Sequence, residues 1–347
     1  MVNSPSFIDL KQACVNDLPR IMHFIKKYWK ENHILGSNKE FFIYEHQNNK
    51  KLNFYIAEEK KTKKVVAIQG FIPYGEPPNC HICGVISKVH PENRVPLIGI
   101  QLMKKMLDDL TPKTYCGIGT NPKTMVPLVK KFFNRNTGVM DHFFIPNYQK
   151  KEFTLLTSFH PIHHAPKRDK KNTGLKTNNF VELSKKEFKR NFHKIKINKN
   201  LPIKTLPYLL KRYFDHTIYN YKCTAIFRNR NQNIDIIFTR EIFIKKLSVL
   251  RIIDFMGDIN TLGMIGNWFE TMLKNFGYEY VDLLCSGINN NLLEDSGFIN
   301  RRKFRDIVVP TYFEPLIEEN IDIYYEKSDE DLIIFKGDAD ADRPNFW

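Results

Sequence analysis

The run from residue 81 to residue 147 constrains this chain most, because strand and helix signals alternate there around a turn suited to phosphate. Residues 81–89 are apolar and β-branched, and His90-Pro91-Glu92-Asn93 is a turn. Arg94-Val95-Pro96-Leu97-Ile98-Gly99 then opens an amphipathic helix over 100–110. A second strand, 114–120, stops at Asn121-Pro122, another helix follows, and 138–146 supplies a last strand. A helix that begins straight after a strand aims unpaired N–H groups and the positive end of its dipole at one spot. That spot suits a diphosphate.

At 347 residues the chain has room for two domains of about 150 residues each. A hydrophobic content of 42% and 27 phenylalanines suffice for their cores. No apolar run approaches the roughly 20 residues of a membrane span, and the N-terminus lacks a basic-then-apolar secretion signal. Six cysteines are scattered through mostly apolar segments, which predicts buried thiols in a reducing cytoplasm. Cys80-His81-Ile82-Cys83 is a C-x-x-C without a second pair at zinc spacing, and His160, His163 and His164 have no Cys or carboxylate nearby. No metal is expected at either. The net charge of +15 is local: residues 167–199 hold 12 Lys/Arg against 3 Asp/Glu, whereas 314–342 hold 11 acids against 2 lysines. The basic stretch reads as a solvated connector, or as a source of attraction for a polyphosphate ligand. It is a weak reason to expect nucleic acid.

Around the opening unit, a strand at 7–11, a helix at 15–31, a short helix at 40–45 and a hairpin of 52–58 with 64–74 are expected. These belong to a first domain, 1–150. Residues 151–203 form a crossover that starts with a strand at 152–156. A second domain, 204–335, repeats the order: a helix at 206–213, strands at 222–228, 234–244 and 248–256, a helix at 262–275, a strand at 280–284 and a short helix at 290–297. Gly257-Asp258-Ile259-Asn260 replaces the phosphate turn in this copy, so phosphate affinity is expected in the first copy alone. Residues 336–347 are an Asp-rich tail.

This order resembles the GNAT superfamily of acyl-CoA-dependent N-acyltransferases, and within it the double-domain acyltransferases of surface-polysaccharide and amino-sugar biosynthesis. The residues behind the likeness are Lys88-Val89-His90-Pro91 leading to Val95-Pro96-Leu97-Ile98-Gly99-Ile100, Gly117-Ile118-Gly119, the block 254–258, and the tail 336–345. One departure is Leu97, which occupies the first glycine position of the superfamily turn. The resemblance implies an α/β (α+β) fold of two tandem domains, each a mixed, mostly antiparallel twisted sheet flanked by helices. It further implies acetyl-CoA, or another acyl-CoA, bound by Ile86, Ser87, Lys88, Val89, Arg94, Val95, Leu97, Ile98, Gly99, Ile100 and Asn121.

Acyl transfer to an amine needs a free amine, a proton acceptor and stabilisation of the oxyanion and the leaving thiolate. His81 is the first candidate base, although a strand-end histidine in solvent is an equal reading; His142 and Asp254 are further candidates. The acceptor implied is the amine of a nucleotide-linked amino sugar, for example a 4-amino-4,6-dideoxyhexose. Asp258, Asp282, Asp338, Asp340, Asp342, Arg343 and Asn345 are the candidate acceptor residues; the three alternating tail aspartates would share one side of an extended segment. Two other readings stay open: a Fem-like ligase using aminoacyl-tRNA, and a non-catalytic binding protein with a silenced cofactor turn.

Overall fold

In a computed structural model the chain builds two mixed sheets of eight strands each, flanked by helices. Residues 5–160, 175–228, 233–338 and 341–344 are described. The N-terminal strands are β1 (Ile8–Cys14), β2 (Gln47–Asn48), β3 (Lys51–Glu59), β4 (Val65–Pro73), β5 (Ile82–Val89), β6 (Tyr115–Ile118) and β7 (Asn136–Val139). Then come β8 (Asp141–Pro146), β9 (Phe180–Glu182), β10 (Tyr221–Phe227), β11 (Ile234–Ile244), β12 (Leu247–Met256), β13 (Tyr280–Ser286) and β14 (Ile299–Asn300). The C-terminal segment adds β15 (Tyr324–Lys327) and β16 (Ile334–Phe335).

The first sheet runs β1-β3-β4-β5-β6-β15-β7, with β2 on β3; the second runs β14-β8-β13-β12-β11-β10-β9, with β16 on β13. The halves therefore exchange strands. The strand expected over 138–146 breaks at Met140: β7 pairs with β15, and β8 crosses into the second sheet between β13 and β14. Burial explains the switch. Phe143, Phe144 and Ile145 are all inaccessible, so both faces of β8 need cover, which only an interior strand obtains. The strand expected at 152–156 does not form, because the N–H groups of Thr154 and Leu155 donate to the Glu279 carboxylate instead of a ladder.

Helices α1 (Leu18–Tyr28), α2 (Ile34–Ser37) and α3 (Lys39–His46) precede the hairpin. Pro19 fits the first turn of α1, and Leu18, Ile21, Phe24 and Ile25 bury one stripe of it against β3 and β4. Helices α4 (Ile98–Leu110) and α5 (Met125–Phe133) follow β5 and β6. Ile98, Leu102, Met103, Met106 and Leu110 pack α4 onto the first sheet with Tyr115. On the opposite face of that sheet, Ile72, Tyr74, Cys83 and Cys116 meet Leu332 and Ile334 of the C-terminal segment. None of the helices among the described residues is long and apolar enough to cross a membrane.

Candidate active site

The site grows from a fork. β5 and β6 run parallel and pair only at Ile82 with Tyr115, Cys83 with Cys116, and Gly84 with Gly117. Beyond that last pair they part, and one side of β5 loses its neighbour. On its other side β5 pairs with β4, but two residues, Val85 and Ile86, oppose the single Gly70. This is a β-bulge, which re-aims backbone groups at the point where the strands diverge. Gly70 allows it, since a Cβ there would meet a Val85 methyl at 2.5 Å.

A cleft of about 610 Å³ opens from the fork. Ser87, Lys88 and Val89 line one wall, Ile118, Gly119, Thr120 and Asn121 the other, and Val95, Leu97, Ile98, Gly99 and Ile100 close the end. At that end α4 begins without a side-chain cap. The N–H groups of Leu97, Ile98, Gly99 and Ile100 find no acceptor among the described residues. Leu97 adopts φ 55° and ψ 21°, the left-handed conformation a glycine would supply. The turn keeps its shape with leucine, at about 1–2 kcal/mol of backbone strain. At Gly99 a Cβ would sit 3.0 Å from a Val89 methyl, so a side chain there would have to push that methyl aside.

Nine of the residues expected to bind a coenzyme thus meet in one cleft: Ser87, Lys88, Val89, Val95, Leu97, Ile98, Gly99, Ile100 and Asn121. Ile86 turns into the core against α1, leaving only its backbone near the fork. Arg94 is exposed beside the turn and does not line the cleft. Asn121 caps the approach to α5, its Oδ1 accepting from the N–H groups of Lys123 and Thr124 at 3.0 and 3.1 Å.

The candidate bases lie elsewhere. His81 Nδ1 is 2.7 Å from Thr114 Oγ1, and Nε2 is enclosed without a partner. Burial and then Lys113 hold its pKa below the ordinary imidazole value. His142 Nε2 is 3.0 Å from Asp282 Oδ2, deep in the second sheet. Asp254 and Asp338 both clasp the buried Lys204 Nζ, Asp338 at 2.9 Å and Asp254 at 2.5 Å, while Asp254 also accepts from Tyr213 Oη at 2.7 Å.

The candidate acceptor residues divide among separate clusters. Asp282 accepts from Arg251 Nε at 2.9 Å; burial raises its pKa, but Arg251 and His142 outweigh that and bring it to about 2. Asp258 caps the turn after β12 and binds Arg228 at 2.5 Å. Asp342 pairs with Arg240 at 2.8 Å, and the Arg343 guanidinium lies 2.7 Å from His33 Nε2. Asp342 and Arg343 share a small cavity with Lys336 and Arg251. Burial, then Arg251, brings the Lys336 ammonium down to about 7. The expected common face of the tail aspartates fails: Asp338 faces Lys204 and Asp342 faces Arg240, because the chain turns after Phe335. Asp340 and Asn345 lie outside the described residues, as do His163 and His164. Among the described residues no three His, Cys, Asp or Glu side chains are grouped to hold a metal ion.

The second sheet has a matching fork that its own chain fills. β12 and β13 pair in parallel from Leu250 with Val281 to Ile252 with Leu283. Past that point the C-terminal segment enters. β16 pairs with Cys285 and Ser286, Lys336 N–H donates to Leu284 at 3.1 Å, and Gly337 N–H donates to Ile253 at 2.7 Å. The first N–H of the helix Gly266–Phe276 that follows this fork is also taken, donating to Ser296 Oγ at 2.8 Å. One residue with no sequence signal emerges in the first fork: Glu326 of β15, 4% exposed, stands beside Gly117 and lines the cleft. Burial pushes its pKa up to about 7.

No protein-family model matches this sequence, and no curated protein matches it. Solved structures do. A GCN5-related N-acetyltransferase from Anabaena variabilis aligns with TM-score 0.53 and 11% identity over 92% of this chain and 72% of that one. A conserved protein of Enterococcus faecalis, described as a probable N-acyltransferase, gives TM-score 0.53 and 10% identity over the same shares. Saccharomyces cerevisiae N-myristoyltransferase with bound myristoyl-CoA and inhibitors aligns at TM-score 0.48 and 14% identity over 99% and 86%. At such identities the likeness is one of fold: two tandem GNAT-like domains.

Proposed function

We propose that this chain is an acyl-CoA-dependent N-acyltransferase that acetylates the amine of a nucleotide-linked amino sugar in glycan biosynthesis, for example a 4-amino-4,6-dideoxyhexose. One observation carries the reading: the open fork between β5 and β6 ends at a helix start whose N–H groups are unclaimed. The free edge of β5 has the form of a missing strand, which the amide-bearing pantetheine arm of coenzyme A can complete. The diphosphate then meets the N–H groups of residues 97–100, where anions are favoured. The bulge at Val85–Ile86 supplies backbone donors where the thioester carbonyl would develop negative charge. The second fork, occupied by residues 334–338, leaves room for one donor per chain.

The acceptor class rests on the sequence resemblance. A pocket of about 230 Å³ between the halves, lined by Tyr44, Glu45, Glu76, Tyr208 and Lys211, is a suitable place for a polar acceptor. Thermal unfolding with acetyl-CoA tests the donor. Ligand at about 100 times its Kd should stabilise the fold by about 2.7 kcal/mol. Thiol release from acetyl-CoA across a panel of amino-sugar nucleotides then tests the acceptor. A protein that ignores acetyl-CoA but is stabilised by tRNA in a salt-dependent way would be a ligase instead.

A further inference from the structure

We propose that Glu326, carried into the first sheet by a strand of the C-terminal half, is the proton carrier of the transfer, taking a proton from the attacking amine and passing it to the departing sulfur. The inference rests on the acyl-CoA reading of the fork and names a residue that reading lacks.

Glu326 stands where the fork opens. Gly84 and Gly117, the last pair before the strands part, present no side chains to the gap. Over Gly84 hangs the Tyr115 hydroxyl, which would meet a Cβ there at 1.9 Å; over Gly117 lies Glu326, whose Oε1 would be 3.2 Å from one. The fork is therefore floored by two protic groups, one residue from the bulge. Glu326 Oε2 is enclosed with no partner, and no described group hydrogen-bonds or ion-pairs with the carboxyl. Buried carboxylates are ordinarily paired, so an unpaired one aimed into a cleft is free to exchange a proton with a ligand.

The charged and titratable groups facing it are Arg135, Tyr115 and Cys83. Arg135, whose guanidinium stacks 4.5 Å from the centre of the Tyr115 ring, makes no hydrogen bond to it and lowers its pKa less than burial raises it. Burial dominates and leaves the carboxyl titrating at about 7, near neutral working pH. The other candidate bases are spoken for or out of reach. Asp254 is held by Lys204, His142 by Asp282, and His81 does not line the cleft.

The step balances without a further reactant. The neutral amine nitrogen bonds to the thioester carbon, and the carbonyl electron pair moves to oxygen beside the bulge. The ionised Glu326 takes a proton from that nitrogen. The tetrahedral centre collapses, the carbon–sulfur pair leaves with sulfur, and Glu326 returns the proton to it. Amide and coenzyme A thiol are the products.

The test uses the full chain as wild type, Glu326→Gln and Glu326→Asp, with coenzyme A binding followed by calorimetry and thiol release from acetyl-CoA followed with an amino-sugar nucleotide and with water as acceptor. The glutamine variant should bind coenzyme A within about threefold of wild type, yet lose about 10²–10⁴-fold in thiol release. It should also lose the rise in turnover through pH 7, and the aspartate variant should regain part of it. A second readout needs no turnover. Ionising a carboxyl whose folded pKa is raised destabilises the fold as pH rises past its unfolded value, so Glu326→Gln should melt with wild type at pH 4 and above it at pH 8. Carbon-13 NMR of the ligand-free carboxyl should give the same pKa as the turnover limb. Turnover of the glutamine variant within threefold of wild type, or a limb at a different pH from the carboxyl, overturns the proposal and leaves the fork reading intact. Failure of the wild type to bind coenzyme A overturns both.

Discussion

Replacing Lys204 with methionine tests whether the tail is bolted to the second sheet by charge. Lys204 is 3% exposed and its ammonium lies between Asp254 and Asp338, both at 0%. Asp338 also accepts from the N–H of Phe335 at 2.7 Å, and Asp254 from the N–H of Phe255 at 2.9 Å, so neither carboxylate can swing away. Without the cation two like charges remain enclosed together. Breaking a buried pair by removing one partner costs about 3–5 kcal/mol. With about 2.1 cal/mol/K of unfolding entropy per residue, a cooperative chain of this length should lose roughly 4–7 °C in Tm. The sign with pH follows from the pKa directions. Burial already raises Asp254 against the pull of Lys204; with Lys204 gone, that carboxyl escapes its buried charge only by binding a proton. The deficit should be largest at pH 8 and shrink as pH falls toward 5. Thermal unfolding by circular dichroism at both pH values measures it. A variant as stable as wild type at pH 8, or a deficit independent of pH, would refute the reasoning.

Arg94→Ala should weaken acetyl-CoA binding only about 2–5-fold, since an exposed cation on a phosphate is screened like a surface ion pair; calorimetry in low and high salt checks this, with the difference fading in salt. Gly337→Ala should lower stability by about 1–3 kcal/mol, because its Cβ would lie 2.7–2.8 Å from Tyr213 Oη and Ile253; coenzyme A stoichiometry should stay at one per chain in wild type and variant alike. Lys336→Met should raise Tm at pH 6 and lose that advantage by pH 10. An ammonium whose folded pKa is depressed to about 7 lowers stability below its unfolded pKa, and the penalty is complete at about pH 7.

The fold was legible where periodicity is strong. The strands at Ile234–Ile244 and Lys51–Glu59 follow from apolar, β-branched and aromatic runs, and the stripes of α1 and α4 from helical spacing. The strand–turn–helix from Ile82 to Leu110 was legible because an apolar run, a Pro-rich turn and a helical stripe follow one another there. What the sequence hid is long-range. Tyr324–Lys327 has acids around it and no strand is expected there, yet its Glu326 is buried between β6 and β7, strands about two hundred residues earlier. Burial of a charge has no local pattern. The same blindness applies to the aspartates: Asp254, expected as a base, and Asp282, Asp338 and Asp342, expected to meet an acceptor, hold Lys204, Arg251 and Arg240 of the chain itself. The bulge at Val85–Ile86 had one faint signal, Gly70 in an otherwise bulky strand.

Strand exchange turns a repeat into a single functional unit. β15 lies between β6 and β7, so a chain ended at residue 150 would leave both strands with open edges and Gly117 without Glu326 beside it. The same fragment would carry Phe143, Phe144 and Ile145 with no second sheet to enter. Exposed edges and apolar strands of that kind aggregate, so the fragment should be insoluble. Removing only residues 334–347 should instead free the second fork while sparing β15. That shorter loss should expose the edge beside Ile253 and Leu284 and lower stability, yet leave coenzyme A binding in the first fork measurable. The C-terminal segment thus acts twice, filling the second fork with β16 and its following turn and placing Glu326 beside Gly117 in the first.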